Sequence, residues 1–157
     1  MAYDAFLKLD GIDGEVSAAG FEKWIEVMSF SWGVTNAGTG ASGGGGGAGK
    51  ASFQDLHFES PTSKASPNLM LACATGKHIQ SALLTLRKAG GSDNSAQFMK
   101  IRLDDVLISS YQNAGAEQGD DRPLDGVSLN FVKIDFLYTV PETGETVETS
   151  FDTRVLR

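Results

Sequence analysis

One cysteine, two histidines, four prolines and two tryptophans among 157 residues exclude several kinds of protein at once. With Cys73 alone, no internal disulfide can form, which fits folding in a reducing compartment. His57 and His78 have no second histidine and no cysteine at zinc spacing. No apolar run approaches the ~20 residues of a membrane-spanning helix. The opening Met1-Ala2-Tyr3-Asp4-Ala5-Phe6 lacks the basic stretch and apolar run of a signal peptide. Positive charge is also scarce, at 13 Lys and Arg against 20 Asp and Glu, for a net charge of -7. Such a surface repels phosphate backbones and anionic membranes. These absences predict a chain made in the cytoplasm, with no metal, no cofactor, no nucleic-acid partner and no membrane insertion. If it is exported, it needs a route that reads no amino-terminal signal.

What the chain does have is strand pattern, and in three places that pattern changes face partway along. Ile25 and Val27 share one parity, whereas Met28, Phe30, Trp32 and Val34 take the other. Met99, Ile101 and Leu103 give way to Val106 and Ile108 across Asp104-Asp105. Val127, Leu129 and Phe131 give way to Val132, Ile134, Phe136 and Tyr138. Side chains alternate with period two, so a one-residue shift requires a bulge or a strand whose halves bury opposite faces. On this reading Met28, Phe30 and Trp32 face the core, and Ile25 and Val27 form an outer patch. Three such shifts exceed what one functional bulge requires and point to outer faces covered by other copies of the chain.

Seven strands are predicted, at 3–9, 25–34, 52–58, 79–88, 98–108, 127–140 and 146–151, with a polar loop over 113–126. Turn signals stand at Asp10-Gly11-Ile12-Asp13-Gly14, at Gly90-Gly91 and at Pro141-Glu142-Thr143-Gly144. One short helix, about residues 67–75, has Ser66 as its predicted N-cap, Pro67 opening it and Gly76 ending it. A helix this short must pack on a sheet to persist. Together these predict a single domain over 1–157, mainly β: a small antiparallel β-barrel or two-sheet fold with one short α-helix.

Eight glycines fall between residues 36 and 49, which predicts a mobile loop over 36–50. Gly44 to Ala51 misses the phosphate-cradling pattern by one residue: the magnesium-binding hydroxyl is replaced by Ala51, and a strand rather than a helix follows. Nucleotide binding is therefore not expected. A long loop where a short turn would serve is better suited to contact between copies. Ile25, Val27, Gly44, Gly46, Gly49, Lys50 and Gly90 are the expected ring or stacking contacts.

No catalytic constellation is present. Asp55 and His57 share a strand face, but no G-x-S-x-G serine completes a triad. Asp104-Asp105 and Asp120-Asp121 are sequence neighbours and would point to opposite faces of a strand. The carboxylates of Asp10 to Glu15 do not follow calcium-loop spacing. A separate possibility is a monomeric barrel that captures a small ligand or glycan on Trp24, Trp32 and Tyr111.

A run of segments in order resembles one known family. These are Phe6 to Glu15, Ile25-Glu26-Val27 with Phe30-Ser31-Trp32-Gly33, Gly43 to Lys50, Asp55-Leu56-His57-Phe58, Ser66 to Met70 with Ala72 to His78, Arg87 to Gly91, and Val127 to Phe131. The chain resembles the hemolysin-coregulated proteins, the inner-tube subunits of the bacterial type VI secretion system. The resemblance implies a β-barrel with one helix, six copies closing into a hexameric ring, and rings stacking into an expelled tube. It implies effector proteins in the lumen, sheath and spike-tip proteins as further partners, no catalytic residues, and secretion from the bacterial cytoplasm. Phe151-Asp152-Thr153-Arg154 departs from the family pattern, which has a tryptophan-containing strand there.

Overall fold

The computed structural model describes residues 2–38, 50–89, 96–117 and 122–154. Among them are eleven strands and one helix: β1 (Tyr3–Leu9), β2 (Ile25–Val27), β3 (Ser29–Ser31), β4 (Val34–Asn36), β5 (Ala51–Phe53), β6 (Leu56–Pro61), α1 (Ser66–Thr75), β7 (His78–Lys88), β8 (Gln97–Ala114), β9 (Leu124–Asn130), β10 (Lys133–Thr139) and β11 (Thr146–Asp152). All pairing is antiparallel, and the main path runs β2-β1-β7-β8-β9-β6-β3. Its two ends, β2 and β3, are one stretch of chain. Ile25 to Val27 pair with β1, Ser29 to Ser31 pair with β6, and between them the Met28 N–H donates to the Glu59 carbonyl at 2.7 Å. One seven-residue run, Ile25 to Ser31, thus closes a barrel.

That closure accounts for the first change of face and corrects its direction. Ile25 and Val27 are buried in the core, while Met28 is 55% exposed and Phe30 and Trp32 are only partly covered. The strand turns over at Met28 because it leaves one neighbour for another. Inward are Ile25 and Val27 on β2 and Phe30 on β3, which lies opposite the buried Phe58 and packs with Trp32 against the core, so the expected faces are reversed for Ile25, Val27 and Met28 and hold for Phe30 and Trp32.

The other two shifts occur at one level of the sheet. On β8, burial passes from Ile101 and Leu103 to Val106 and Ile108, with Asp105 at φ 56 between them. On β9 and β10 it passes from Val127, Leu129 and Phe131 to Ile134, and the strand breaks at Phe131-Val132. β7 shows a third instance that its composition conceals, from Ile79 to Ala82, Leu84 and Leu86. Ile79 pairs with Val106, Ser81 with Asp104 and Lys133 with Asp104, so the three breaks are neighbours across the ladder. They form one crease. Beyond it, β10 continues along the β8 edge that β9 follows first, and among the described residues β11 pairs with β10 alone.

Crossing breaks divide the predicted strand 25–34 into three and 52–58 into two. β8 also runs to Ala114 and β9 starts at Leu124, so the loop between them is shorter than 113–126. The helix begins one residue early: Ala65 occupies the cap position without a side-chain bond, and Ser66 is inside the helix. Its end is as expected, with Gly76 left-handed at φ 68 and the Lys77 N–H reaching the Ala72 carbonyl at 3.0 Å. Leu69 and Ala72 carry the helix into the core.

Candidate functional site

The most elaborate polar cluster surrounds Asp125, 1% exposed on β9. Its carboxylate accepts from Thr62 Oγ1 at 3.2 Å, Tyr111 Oη at 2.9 Å, Asn113 Nδ2 at 2.8 Å and the Ser66 hydroxyl. Four donors compensate a buried charge that would otherwise be costly. The same bonds tie the start of α1 to β8 and β9, since Ser66 Oγ also accepts from the Ser63 N–H at 3.0 Å. Burial, then the Asp125 hydrogen bond and charge, raise the Tyr111 phenol above its ordinary pKa. The cluster is internally satisfied and holds elements together. Sequence reading missed it because Asp125-Gly126 resembles a turn and Ser66 resembles a helix cap; the parity of Tyr111, Asn113 and Asp125 was the available signal.

The possible catalytic pair is not assembled. Asp55 accepts from Ser109 Oγ at 2.5 Å and Asn130 Nδ2 at 2.9 Å, while His57 Nδ1 lies 3.0 Å from Ser128 Oγ. Each is held by a serine of its own. The proposed ligand-capturing set is dispersed too: Trp24 packs edge-on against Phe21 at 4.8 Å, Trp32 against Phe136 at 5.4 Å, and Tyr111 bonds Asp125. No group of three or more metal-ligating side chains occurs among the described residues.

Of the expected contact residues, Ile25 and Val27 are 2% and 6% exposed inside their own subunit, so they present no surface to another copy. Lys50 is exposed next to β5. Gly44, Gly46, Gly49 and Gly90 lie outside the described residues.

The outward side of the barrel is partly roofed by the connection between β1 and β2. Phe21 packs on Phe6 at 4.7 Å, and the Arg87 guanidinium stands over both rings at 5.2 and 5.3 Å while bonding Asp4 at 3.4 Å. Gly14 permits this fold-back, because a Cβ there would come within 2.4 Å of the Trp24 carbonyl oxygen. The roof stops short of β8 and β10. On the other face of the sheet, the one that carries Leu103 and Ile134 into the core, Tyr138, Val147 and Phe151 of the last hairpin remain 41%, 57% and 40% exposed. Aromatic and aliphatic surface of this kind suits contact with other protein.

Comparison with known proteins gives a consistent result. Residues 6–138 match the family model described as type VI secretion system effector, Hcp. The protein Hcp1 of Pseudomonas aeruginosa is 43% identical over 138 residues, covering 88% of this chain and 84% of that protein. The crystal structure of Hcp1 from Salmonella typhimurium superposes with a TM-score of 0.82 at 32% identity, over 99% of both chains. A type VI secretion system effector from Yersinia pestis gives 0.77 at 30% identity, over 95% of this chain and 99% of that one. On this evidence the chain belongs to the Hcp family of type VI secretion tube proteins.

Proposed function

We propose that this chain is a non-enzymatic tube subunit whose copies close into rings of six, that the rings stack, and that the lumen carries effector proteins. The observation that carries this reading is likeness over most of the chain, 43% to Pseudomonas Hcp1 over 88% of it in sequence and a TM-score of 0.82 to Salmonella Hcp1 over 99% of it. The unit is one domain over 1–157, assembled in the bacterial cytoplasm and then expelled, with sheath and spike-tip proteins as further partners. Native mass spectrometry of the purified chain should report six copies, and negative-stain microscopy should show annular particles. A monomer at micromolar concentration sinks the proposal.

Gly44, Gly46, Gly49 and Lys50 are assigned to contact between stacked rings, and Gly90 to a ring or stacking contact. Replacing Gly38 to Ala48 with an Asn-Gly turn is expected to leave the six-copy mass intact while abolishing tubes and export. Normal stacking of the shortened chain would reduce the loop to a linker, and dissociation to monomers would move it to the ring interface.

A further inference from the structure

The inward rows of two strands run past the core and end in tyrosine. On β1 the buried Ala5, Leu7 and Leu9 are preceded at the same parity by Tyr3, and on β10 Ile134 and Phe136 are followed by Tyr138. Tyr3 is 47% exposed and Tyr138 comparably so, which puts both at an open mouth of the barrel. Between them stands Phe98. The pairing of β7 with β8 slips there: Leu86 faces Met99 and Arg87 faces Gln97, which leaves Phe98 as the extra residue of a bulge. Bulges re-aim side chains. This one sets the Phe98 ring at 79° to Tyr3 and 84° to Tyr138, with centroids 6.2 and 6.4 Å apart. Two rings nearly perpendicular to a third line a cavity of about 330 Å³, a size and a place that suit small ligands. Lys88 and Glu142 line it too, and neither forms an ion pair among the described residues. One free positive and one free negative charge thus share an aromatic box without neutralising each other.

We propose that this box binds a small zwitterion whose cation is a trimethylammonium group, held by the ring faces of Tyr3, Phe98 and Tyr138 and by the Glu142 carboxylate, with the anion on Lys88. Ring faces attract cations through their quadrupole, most usefully a cation that gives up little hydration. A primary ammonium is tightly hydrated and would lose its water bonds against three rings, whereas a trimethylammonium has no N–H to lose. A bare cation would be repelled by Lys88. A betaine or a phosphocholine group instead presents an anion a few bonds from its cation, which matches the charge pair. All five residues belong to one subunit, so the site goes beyond the tube reading and does not depend on ring closure. Two sources share this chemistry, a soluble zwitterion and a choline lipid headgroup.

The test is ligand-observed saturation-transfer NMR with titration calorimetry on the full chain, using glycine betaine, phosphocholine, choline and the uncharged tert-butyl analogue of choline. Betaine and phosphocholine should bind about tenfold more tightly than the uncharged analogue, with saturation greatest on their methyl protons. Tyr138→Leu should weaken both by about tenfold while Tyr138→Phe keeps the parent affinity, because the ring face and not the hydroxyl makes the contact. Lys88→Met should remove the preference for betaine over choline, and Glu142→Gln should weaken the two alike. Equal affinity for betaine and the uncharged analogue overturns the proposal, as does undiminished binding to a folded Tyr138→Leu chain or no saturation transfer to any charged probe. Co-sedimentation with phosphatidylcholine vesicles, lost in Tyr138→Leu, would support the site with the headgroup as its source. Binding of free phosphocholine without co-sedimentation would support it with the soluble zwitterion as its source. Should Tyr138→Leu misfold, the comparison of betaine with the uncharged analogue on the parent chain decides.

Discussion

Tyr111 and Phe131 show how much can rest on single side chains in a barrel this small. The Tyr111 phenol holds its proton more tightly in the folded state, because burial and then Asp125 disfavour the phenolate. A raised acid pKa of this sign contributes stability that is fully present below pH ~10 and lost as pH rises through the folded value. Tyr111→Phe should therefore flatten the alkaline fall of the melting temperature. It should also cost about 1–2 kcal/mol at neutral pH, because Asp125 loses one of four donors. Melting curves from pH 7 to 11 check both, and an unchanged alkaline slope would show that Tyr111 does not govern it. Phe131 is 7% exposed and meets Phe53 edge-on at 5.8 Å. Phe131→Ala should destabilise by about 3–5 kcal/mol through the cavity it leaves, measurable as a shift in the urea midpoint at unchanged slope.

At the level of elements, the crease is the feature that organises the sheet. Asp105 sits in it at φ 56, and its Oδ1 lies 2.8 Å from His78 Nδ1 on the next strand. A β-branched side chain strongly resists that backbone region, so Asp105→Val should destabilise by roughly 1–3 kcal/mol. Asp105→Gly should stay within about 1 kcal/mol of the parent, since it loses only an exposed bridge and relieves the backbone. Chemical denaturation of the two variants separates backbone strain from loss of the bridge, because strain predicts a clear difference between them and the bridge predicts none. Two of the three predicted phase shifts are this crease, legible because Val, Ile, Leu and Phe alternate visibly on either side of it. Its continuation on β7 was hidden, since Ala82 to Arg87 is apolar or buried on both faces and carries no parity to read. The direction of the shift at Met28 was not legible either. Which parity faces inward there depends on β1 and β6, strands that lie on opposite sides of it in sequence, and no local pattern contains that information.

For the whole molecule, charge and topology set the conditions of assembly. Six copies at -7 each repel one another, and exposed charges are screened within about 8 Å at physiological salt. Raising sodium chloride from 20 to 500 mM should therefore favour rings and stacks, with ring mass by light scattering appearing at lower protein concentration. The opposite trend would mean that ion pairs dominate the contacts. The Asp125 cluster was the least legible part of the sequence, because Thr62, Ser66, Tyr111 and Asn113 are unremarkable residues until the strand ladder sets them around one carboxylate. The same ladder governs birth as well as assembly. β1 joins the barrel by pairing Tyr3 with Lys88 and Leu9 with Ala82, residues far later in the chain. At ribosomal rates of roughly 5–20 residues per second, Ala5, Leu7 and Leu9 wait about 4–17 seconds for the strand that will cover them. During that interval the nascent chain shows unsatisfied apolar surface to every ribosome-bound chaperone and every sister chain on the same message. The barrel cannot close until β9, at Leu124–Asn130, has emerged, so recognition between folded subunits belongs at the end of translation or after it.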